Sequence, residues 1–362
     1  MSAARAAPAG TPLGDAFHLY DTTLRDGAQA EGITYSVQDK LAVARLLDEL
    51  GVGFIEGGWP GAMPKDTEFF ARAAAELSLR HAVLVAFGAT RKPGVLAADD
   101  RQVRALLDSQ AAVVTLVAKS DRRHVERALR TDAAENRKMV VDTVALLVTE
   151  GRRVFVDLEH FFDGYANDPQ HGIGVVEAAV QAGADVAVLC DTNGGMLPLR
   201  VAEVVAEVGA KTGARLGIHC QDDTACAVAS SVSAVQAGAT HVQCTANGYG
   251  ERTGNADLFA VIGNLATKVH MPVLPEGNLA DLVRVSTPWR SWPTRRRSPG
   301  RPTSAAVRLR TRPDCTPAPS RSTPSCTTTS TRPSSATTCG CWSPRWPGEP
   351  ASSSRGASSV ST

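Results

Sequence analysis

Charged and imidazole side chains stand at the ends of several apolar segments of this chain, where together they could bind one metal ion. Arg25 and Asp26 lie side by side just after the first apolar segment. Glu159, His219 and Asn247 stand at or just after the ends of three further segments. A guanidinium beside a carboxylate offers an oxyanion donor and a metal ligand. A single pocket open to substrate would explain all five residues.

The spacing of His219 and Gln221 favours two ligands of the same ion. On an extended segment, residues two apart point to the same side, and Cys220 between them points away. Asp26 can add a carboxylate oxygen and Asn247 an amide oxygen. This ligand set suits Mg²⁺ or Mn²⁺, with Zn²⁺ as an alternative. The ordinary interpretations stay open, since an Asp after a strand is often a cap or turn residue and a lone His is often just hydrogen-bonded.

The composition favours a protein that acts on small molecules. The chain has 362 residues, of which 43% are hydrophobic, and a formal net charge of +1. It can therefore bury a full core and has no electrostatic bias toward nucleic acid or anionic membranes. We expect a cytoplasmic protein, because no apolar run is long enough to span a bilayer and residues 1–16 read as a flexible N-terminus without a signal sequence. The eight cysteines are interpreted as thiols.

Eight short apolar runs alternate with helical patterns and predict a closed barrel. Several runs lack polar alternation, as parallel strands covered on both faces require. Eight strand-then-helix units over about 250 residues match a (β/α)8 TIM barrel better than an open doubly wound sheet. The first crossover also lacks the glycine fingerprint of dinucleotide-binding folds. The predicted strands are 17–22, 53–57, 82–88, 113–118, 153–159, 186–190, 215–220 and 241–246.

The helical patterns lie between these runs. The first has Ser36 as its N-cap, Asp39 in the capping-box position and Gly51 at its end. The predicted helices are 36–50, 66–79, 134–149, 175–182, 199–212 and 224–237.

The composition changes abruptly near the end of the predicted barrel. From Thr287 onward the chain is rich in Ser, Thr, Pro and Arg and has almost no Leu, Ile or Val, which predicts disorder. Back-translated into GC-rich codons and shifted by one nucleotide, this tail can spell a protein-like string that includes HKAGLHASAIKVDP. We therefore interpret the tail as out of frame after Ser286. The predicted organisation is a flexible segment 1–16, a barrel 17–285 and an out-of-frame tail 286–362.

Five segments of the barrel region resemble one enzyme family. They are similar to the metal-dependent Claisen-condensing synthases of the pyruvate carboxyltransferase-like barrels, the isopropylmalate, homocitrate and citramalate synthase group. The likeness covers residues from about 17 to 285, and its GGWPG and EHFFDGY motifs resemble the citramalate branch most. The shifted-frame string also resembles the segment that follows the barrel in this family. The segments are DTTLRDGAQAEG, IEGGWPGAMPKD, DLEHFFDGY, CDTNGG and HCQDDTACAVASSVSAVQAGATHVQCTANGYGERTGNADL.

The resemblance implies that acetyl-CoA condenses with a 2-keto acid, pyruvate in the citramalate branch, and feeds isoleucine precursors. A divalent ion on Asp26, His219 and Asn247 would chelate the keto acid. The family usually has a second histidine at the position of Gln221, and an asparagine where this chain has Asp222. Glutamine is a neutral oxygen ligand, so a hard cation should still bind while Zn²⁺ should bind less well than with two imidazoles.

Four further roles follow from the resemblance. Arg25 would stabilise the developing oxygen charge, Thr192 would bind the substrate carboxylate, and Glu159 would be the acid/base group. Glu56 would shape the pocket or orient a ligand. The alternatives are a strand-end salt bridge for Glu159, a helix cap for Thr192 and a structural role for Glu56.

The resemblance also limits what we expect of this chain. In the family, the segment after the barrel supplies a histidine that helps the acetyl-CoA chemistry, often across a homodimer. The translated tail lacks that segment, which predicts weak or absent activity. The alternatives are isopropylmalate or homocitrate synthase, a lyase of the hydroxymethylglutaryl-CoA or aldolase type, and an inactive metal-binding barrel.

Overall fold

Eight parallel strands close into a barrel in the computed structural model, which describes residues 14–287. Each strand pairs with the next along the chain, and β8 pairs with β1. The predicted (β/α)8 TIM barrel is confirmed, since every strand overlaps one predicted run. The strands are β1 His18–Asp21, β2 Phe54–Gly58, β3 Val83–Ala89, β4 Val113–Lys119, β5 Arg153–Glu159, β6 Val186–Asp191, β7 Leu216–Cys220 and β8 His241–Cys244.

The strands are rich in apolar residues because both of their faces are buried. In β5, Phe155 points into the barrel interior, whereas Val154 and Val156 pack against the surrounding helices. Alternation along a strand therefore separates two apolar layers and not core from solvent. The interior is filled by Tyr20, Phe54, Val85, Val113, Phe155, Val186, Val188 and Cys190.

The helices cover the outside of the barrel. At α1 both halves of the predicted capping box are present between Ser36 and Asp39, and Gly51 ends the helix with φ 97°. The helices are α1 Val37–Leu50, α2 Pro64–Glu76, α3 Arg101–Asp108, α4 Arg122–His124, α5 Ala133–Thr149, α6 Phe161–Asn167, α7 Pro169–Gln181, α8 Pro198–Thr212, α9 Ala227–Gln236, α10 Leu258–Thr267 and α11 Leu282–Ser286.

The six predicted helices correspond to α1, α2, α5, α7, α8 and α9, and the pattern missed others. Helix α3 has only eight residues and buries just Val103 and Leu106, so its apolar stripe is too short to register as a period. No helix within residues 14–287 has the length and apolar character needed to cross a membrane. The predicted domain limits stay predictions, and most of segment 1–16 and of tail 286–362 lies outside the described residues.

Candidate active site

The turn after β1 places Arg25 and Asp26 at the carboxyl end of the barrel. Asp21 accepts hydrogen bonds from the backbone N–H of Thr23 at 2.9 Å and from its hydroxyl at 2.7 Å. The Thr23 hydroxyl also accepts the N–H of Ala246 at 2.7 Å. Burial raises the pKa of Asp21 to about 7 despite these hydrogen bonds. The turn is thus tied to the end of β8, which holds Arg25 and Asp26 at the rim.

Asp26, His219 and Gln221 converge as the sequence predicts. The Oδ2 atom of Asp26 lies 3.4 Å from Nε2 of His219 and 3.5 Å from Nε2 of Gln221. The two nitrogen atoms are 3.4 Å apart. Three atoms at these separations share a point about 2.0 Å from each, within the roughly 2.0–2.2 Å of metal bonds to nitrogen and oxygen. The geometry therefore suits a single divalent cation.

The amide of Gln221 fits this site through its oxygen. Its Nε2 points toward Asp26, while its Oε1 is buried without a hydrogen-bond partner among the described residues. A half turn about the last side-chain torsion exchanges the two atoms, whose assignment rests on hydrogen bonding. A cation among the three groups would favour the exchanged orientation, because it attracts the oxygen and repels the NH₂ group.

His219 also contacts residues deeper in the barrel, which the sequence analysis did not identify. Its Nδ1 lies 2.9 Å from Oε1 of Gln243, whose Nε2 donates to Oδ1 of Asp157 at 2.8 Å. Burial raises the pKa of Asp157 to about 8, with Glu56 adding to the effect. A polar residue in the middle of a buried strand is the signal that would have identified both residues.

Glu56 is the counter-ion of Arg25. Its side chain is fully buried and accepts hydrogen bonds from Nε of Arg25, from the Tyr20 hydroxyl and, at 2.6 Å, from the Thr22 hydroxyl. Burial by itself would lower the pKa of Arg25, but the carboxylates of Glu56 and Asp26 raise it above its ordinary value. Glu56 thus orients the guanidinium of Arg25, the proposed oxyanion donor, and keeps it positively charged.

Two aromatic rings fix the guanidinium plane of Arg25. Its Cζ lies 3.9 Å from the ring centroid of Phe87. Phe87 in turn packs edge-on against Trp59, with the centroids 5.1 Å apart. A guanidinium stacked on an aromatic face loses little freedom on binding an anion. Trp59 belongs to the GGWPG motif, so this motif supports Arg25 from the end of β2.

Glu159 and Thr192 lie at the ends of β5 and β6, in contacts of their own. Glu159 forms an ion pair with Lys119 at the neighbouring end of β4. The Thr192 hydroxyl accepts the backbone N–H of His160 at 2.8 Å. His160 has φ 59°, a left-handed conformation that is rare for a residue with a side chain. Glu159 thus makes the strand-end salt bridge that was its alternative, whereas Thr192 binds a backbone N–H and is not the N-cap of α6 or α8. Both residues lie at the same rim as the cation candidates.

Asn247 lies in the tight turn after β8, and Asn255 joins the site beside it. Asn247 has φ 54°, and its Nδ2 is buried without a partner among residues 14–287. Asn255 pairs with Gln221 in an antiparallel bridge and donates its Nδ2 to the Tyr249 carbonyl at 3.0 Å. The buried Oδ1 of Asn255 has no partner in the described part. Asn255 is therefore a second candidate for the amide-oxygen ligand.

A different carboxylate and imidazole cluster closes the opposite end of the barrel. Asp15, His18 and Asp185 bring possible ligand atoms within 4.8 Å of one another. Arg153 pairs with both carboxylates and approaches Asp15 to 2.6 Å, and Arg215 lies 3.4 Å from Asp15. A dication there would meet two guanidinium groups. This cluster is an ion-pair network at the amino-terminal face, where barrels are built for stability.

Comparison with known sequences identifies the relatives of this chain. Residues 16–287 match the family described as HMGL-like. An (R)-citramalate synthase of Streptomyces coelicolor is 65% identical over 274 residues, which are 76% of this chain and 51% of that protein. The (R)-citramalate synthase of Aquifex aeolicus is 45% identical over 275 residues, 76% of this chain and 52% of that protein. A homocitrate synthase of Methanopyrus kandleri is 36% identical over 250 residues, 69% of this chain and 60% of that protein.

The chain spans about half the length of the citramalate synthases that it matches. Among solved structures it is similar to the hydroxymethylglutaryl-CoA lyase of Pseudomonas aeruginosa, with a TM-score of 0.63 and 20% identity over 77% of this chain and 94% of that one. It is also similar to the carboxyl transferase domain of Rhizobium etli pyruvate carboxylase, with a TM-score of 0.58 and 16% identity over 76% of this chain and 47% of that one. These structures share the fold, and the match over residues 16–287 shows that the chain belongs to the HMGL-like family.

Proposed function

We propose that this chain condenses acetyl-CoA with pyruvate to give citramalate and CoA, a step toward isoleucine. The observation that carries the proposal is the meeting of Arg25, Asp26 and His219 at the carboxyl end of the barrel. The relatives named citramalate synthase support this choice of keto acid, because two of them are 65% and 45% identical to the chain over the aligned residues while a homocitrate synthase is 36% identical.

Asp26, His219 and the amide of Gln221 would hold a divalent cation, Mg²⁺ or Mn²⁺, with Asn247 or Asn255 as a further oxygen ligand. A bound cation would polarise the keto carbonyl. The donor set is one carboxylate, one imidazole and amide oxygens, which favours a hard cation over Zn²⁺. The buried Oε1 of Gln221 and Oδ1 of Asn255, which have no hydrogen-bond partner within residues 14–287, support this assignment.

The protein groups at the rim have separate tasks in the proposed reaction. The acetyl methyl group loses a proton, its carbon bonds to the keto carbon, and water then cleaves the thioester to release CoA. Glu159 takes the proton, since one carboxylate oxygen can hold Lys119 while the other acts as base. Arg25 stabilises the negative charge on the former keto oxygen. Thr192 accepts from His160 and donates its own hydroxyl hydrogen to the substrate carboxylate.

The tail bears on how fast this reaction runs. If residues 286–362 are out of frame, they cannot supply the acetyl-CoA groups or the homodimer expected of intact family members. Slow turnover with intact pyruvate binding is then the expected behaviour. A chain with the frame restored after Ser286 should be faster, and its comparison with the 362-residue chain separates the barrel's contribution from that of the tail.

The test uses the full 362-residue chain with Mn²⁺. Calorimetry measures Mn²⁺ and pyruvate binding, and mass spectrometry identifies the product formed from acetyl-CoA with pyruvate or 2-ketoisovalerate. We expect pyruvate to bind only with Mn²⁺ and the product to be citramalate, with both lost in Asp26→Ala. A preference for 2-ketoisovalerate would instead indicate isopropylmalate synthase. Release of a ketone body from hydroxymethylglutaryl-CoA would indicate a lyase, and either result would refute the proposal.

A further inference from the structure

Gln243 connects His219 to Asp157 through two hydrogen bonds inside the barrel. His219 and Gln243 are neighbours in the register of β7 and β8. Asp157 stands on β5, which does not adjoin β8, so its 2.8 Å bond from Gln243 crosses the barrel interior. All three side chains are buried. The chain of contacts therefore has little competition from water.

The chemistry of these groups sets the direction of both hydrogen bonds. Nε2 of Gln243 donates to Oδ1 of Asp157, and this oxygen accepts whether the carboxyl group is ionised or carries its proton on the other oxygen, so the NH₂ group of Gln243 points toward Asp157. The amide carbonyl then points toward Nδ1 of His219, at 2.9 Å, and a carbonyl can only accept. Nδ1 must therefore carry the ring hydrogen. With Asp157 ionised, the reversed amide would place the Gln243 oxygen against a carboxylate oxygen, two acceptors facing each other in a buried site.

We infer that Gln243 and Asp157 are positioning residues that hold His219 in the tautomer with its hydrogen on Nδ1 and its lone pair on Nε2. Nε2 is the atom that lies 3.4 Å from both Asp26 and Gln221. The value of this tautomer for a cation rests on the proposed function. The tautomer itself is a property of the folded chain and can be measured without metal.

Other contacts in the interior could hold a buried histidine without setting its tautomer, so the variants must separate the two roles. Gln243→Met keeps the side-chain length but removes the acceptor for His219 and the donor for Asp157. The double variant Asp157→Asn with Gln243→Glu rebuilds the chain, because the new amide donates to the new carboxylate, which accepts from Nδ1. Thr115→Val removes a different interior hydrogen bond, to Tyr20 at 2.8 Å, and controls for general loosening.

The first readout is the ¹⁵N spectrum of histidine ring nitrogens in the full chain without added metal. A ring nitrogen with a hydrogen and one with a lone pair resonate far apart, and His219→Asn assigns the signals. We expect His219 of the parent chain, the double variant and Thr115→Val to carry the hydrogen on Nδ1, and Gln243→Met to show a mixture. A parent chain with the hydrogen on Nε2 would overturn the inference.

The second readout is Mn²⁺ affinity, titrated by electron paramagnetic resonance. Loss of a residue that orients a ligand typically weakens metal binding about 10–100-fold, which we expect for Gln243→Met. The double variant and Thr115→Val should stay within about threefold of the parent chain. Unchanged binding by Gln243→Met would contradict the positioning role. A parent chain that binds no Mn²⁺ yet shows the Nδ1 tautomer would refute the proposed cation site and leave the tautomer assignment standing.

Discussion

Replacing Glu56 by glutamine should destabilise the barrel and disorder Arg25. The fully buried carboxylate accepts from Arg25, Tyr20 and Thr22. A neutral amide has one acceptor oxygen, and its NH₂ group would face a donor. Breaking a buried ion pair costs about 3–5 kcal/mol. Arg25 keeps Asp26 at 3.5 Å and its side chain is 15% exposed, so we expect a smaller loss of about 2–3 kcal/mol.

Thermal unfolding followed by circular dichroism measures this loss. For a domain of this size, it corresponds to a fall of roughly 4–8 °C in the melting temperature. Glu76→Gln is the matched control, because Glu76 pairs with Arg72 on the surface and both side chains are partly exposed. Its melting temperature should equal that of the parent chain. Pyruvate binding should weaken only in Glu56→Gln. Melting of Glu56→Gln within about 1 °C of the parent chain, with unchanged pyruvate affinity, would refute the counter-ion role.

Three further predictions concern the two ends of the barrel. Burial, aided by nearby arginines, lowers the pKa of His18 from 6.5 to about 4 in the folded chain. As the pH falls from 6.5 to 4, His18 therefore becomes protonated in the unfolded chain before it does in the folded chain. The free energy of unfolding should therefore fall by up to about 3 kcal/mol over this range. Denaturant titrations of His18→Gln should show a smaller fall than those of the parent chain, and equal falls would contradict this origin. Gly250→Ala would place a Cβ 2.2 Å from Nδ2 of Asn255 and should weaken Mn²⁺ binding. The control Gly263→Ala adds a Cβ that would meet nothing within 4 Å and should leave Mn²⁺ binding unchanged. Equal Mn²⁺ affinities of the two variants would exclude Asn255 as a ligand. Gln221→His should raise Zn²⁺ affinity relative to Mn²⁺ in competition titrations, and an unchanged ratio would show that position 221 does not bind the ion.

The glutamine at position 221 offers this site an amide group in place of the imidazole that the family usually has there. An imidazole there would offer nitrogen to the cation, whereas the amide can offer oxygen or, turned around, donate to Asp26. In the proposed site, residue 221 would therefore set both the ligand type and the metal preference. The bridge between Gln221 and Asn255 brings a second amide to the same place, so the loop after β8 belongs to the site as much as β7 does.

The sequence by itself determined the barrel and the convergence of three candidate ligands. Apolar runs and capping signals are local, and they located all eight strands and six of the helices. Once parallel strands close into a barrel, their carboxyl ends must share one rim. That rule is sufficient to bring Asp26, His219 and Gln221 together across about 200 residues of chain, which the 3.4–3.5 Å separations bear out.

Only the tertiary structure decided which partner each polar side chain takes. The hydrogen bond from Gln243 to Asp157 joins residues 86 positions apart on strands that do not pair in the sheet. It depends on the width and register of the closed barrel, which no local pattern encodes. The choice of Glu56 as counter-ion for Arg25, and the capture of the Thr192 hydroxyl by His160, likewise arise from the packing of neighbouring strand ends. Local periodicity fixes which face a residue occupies, and barrel closure fixes what it meets there.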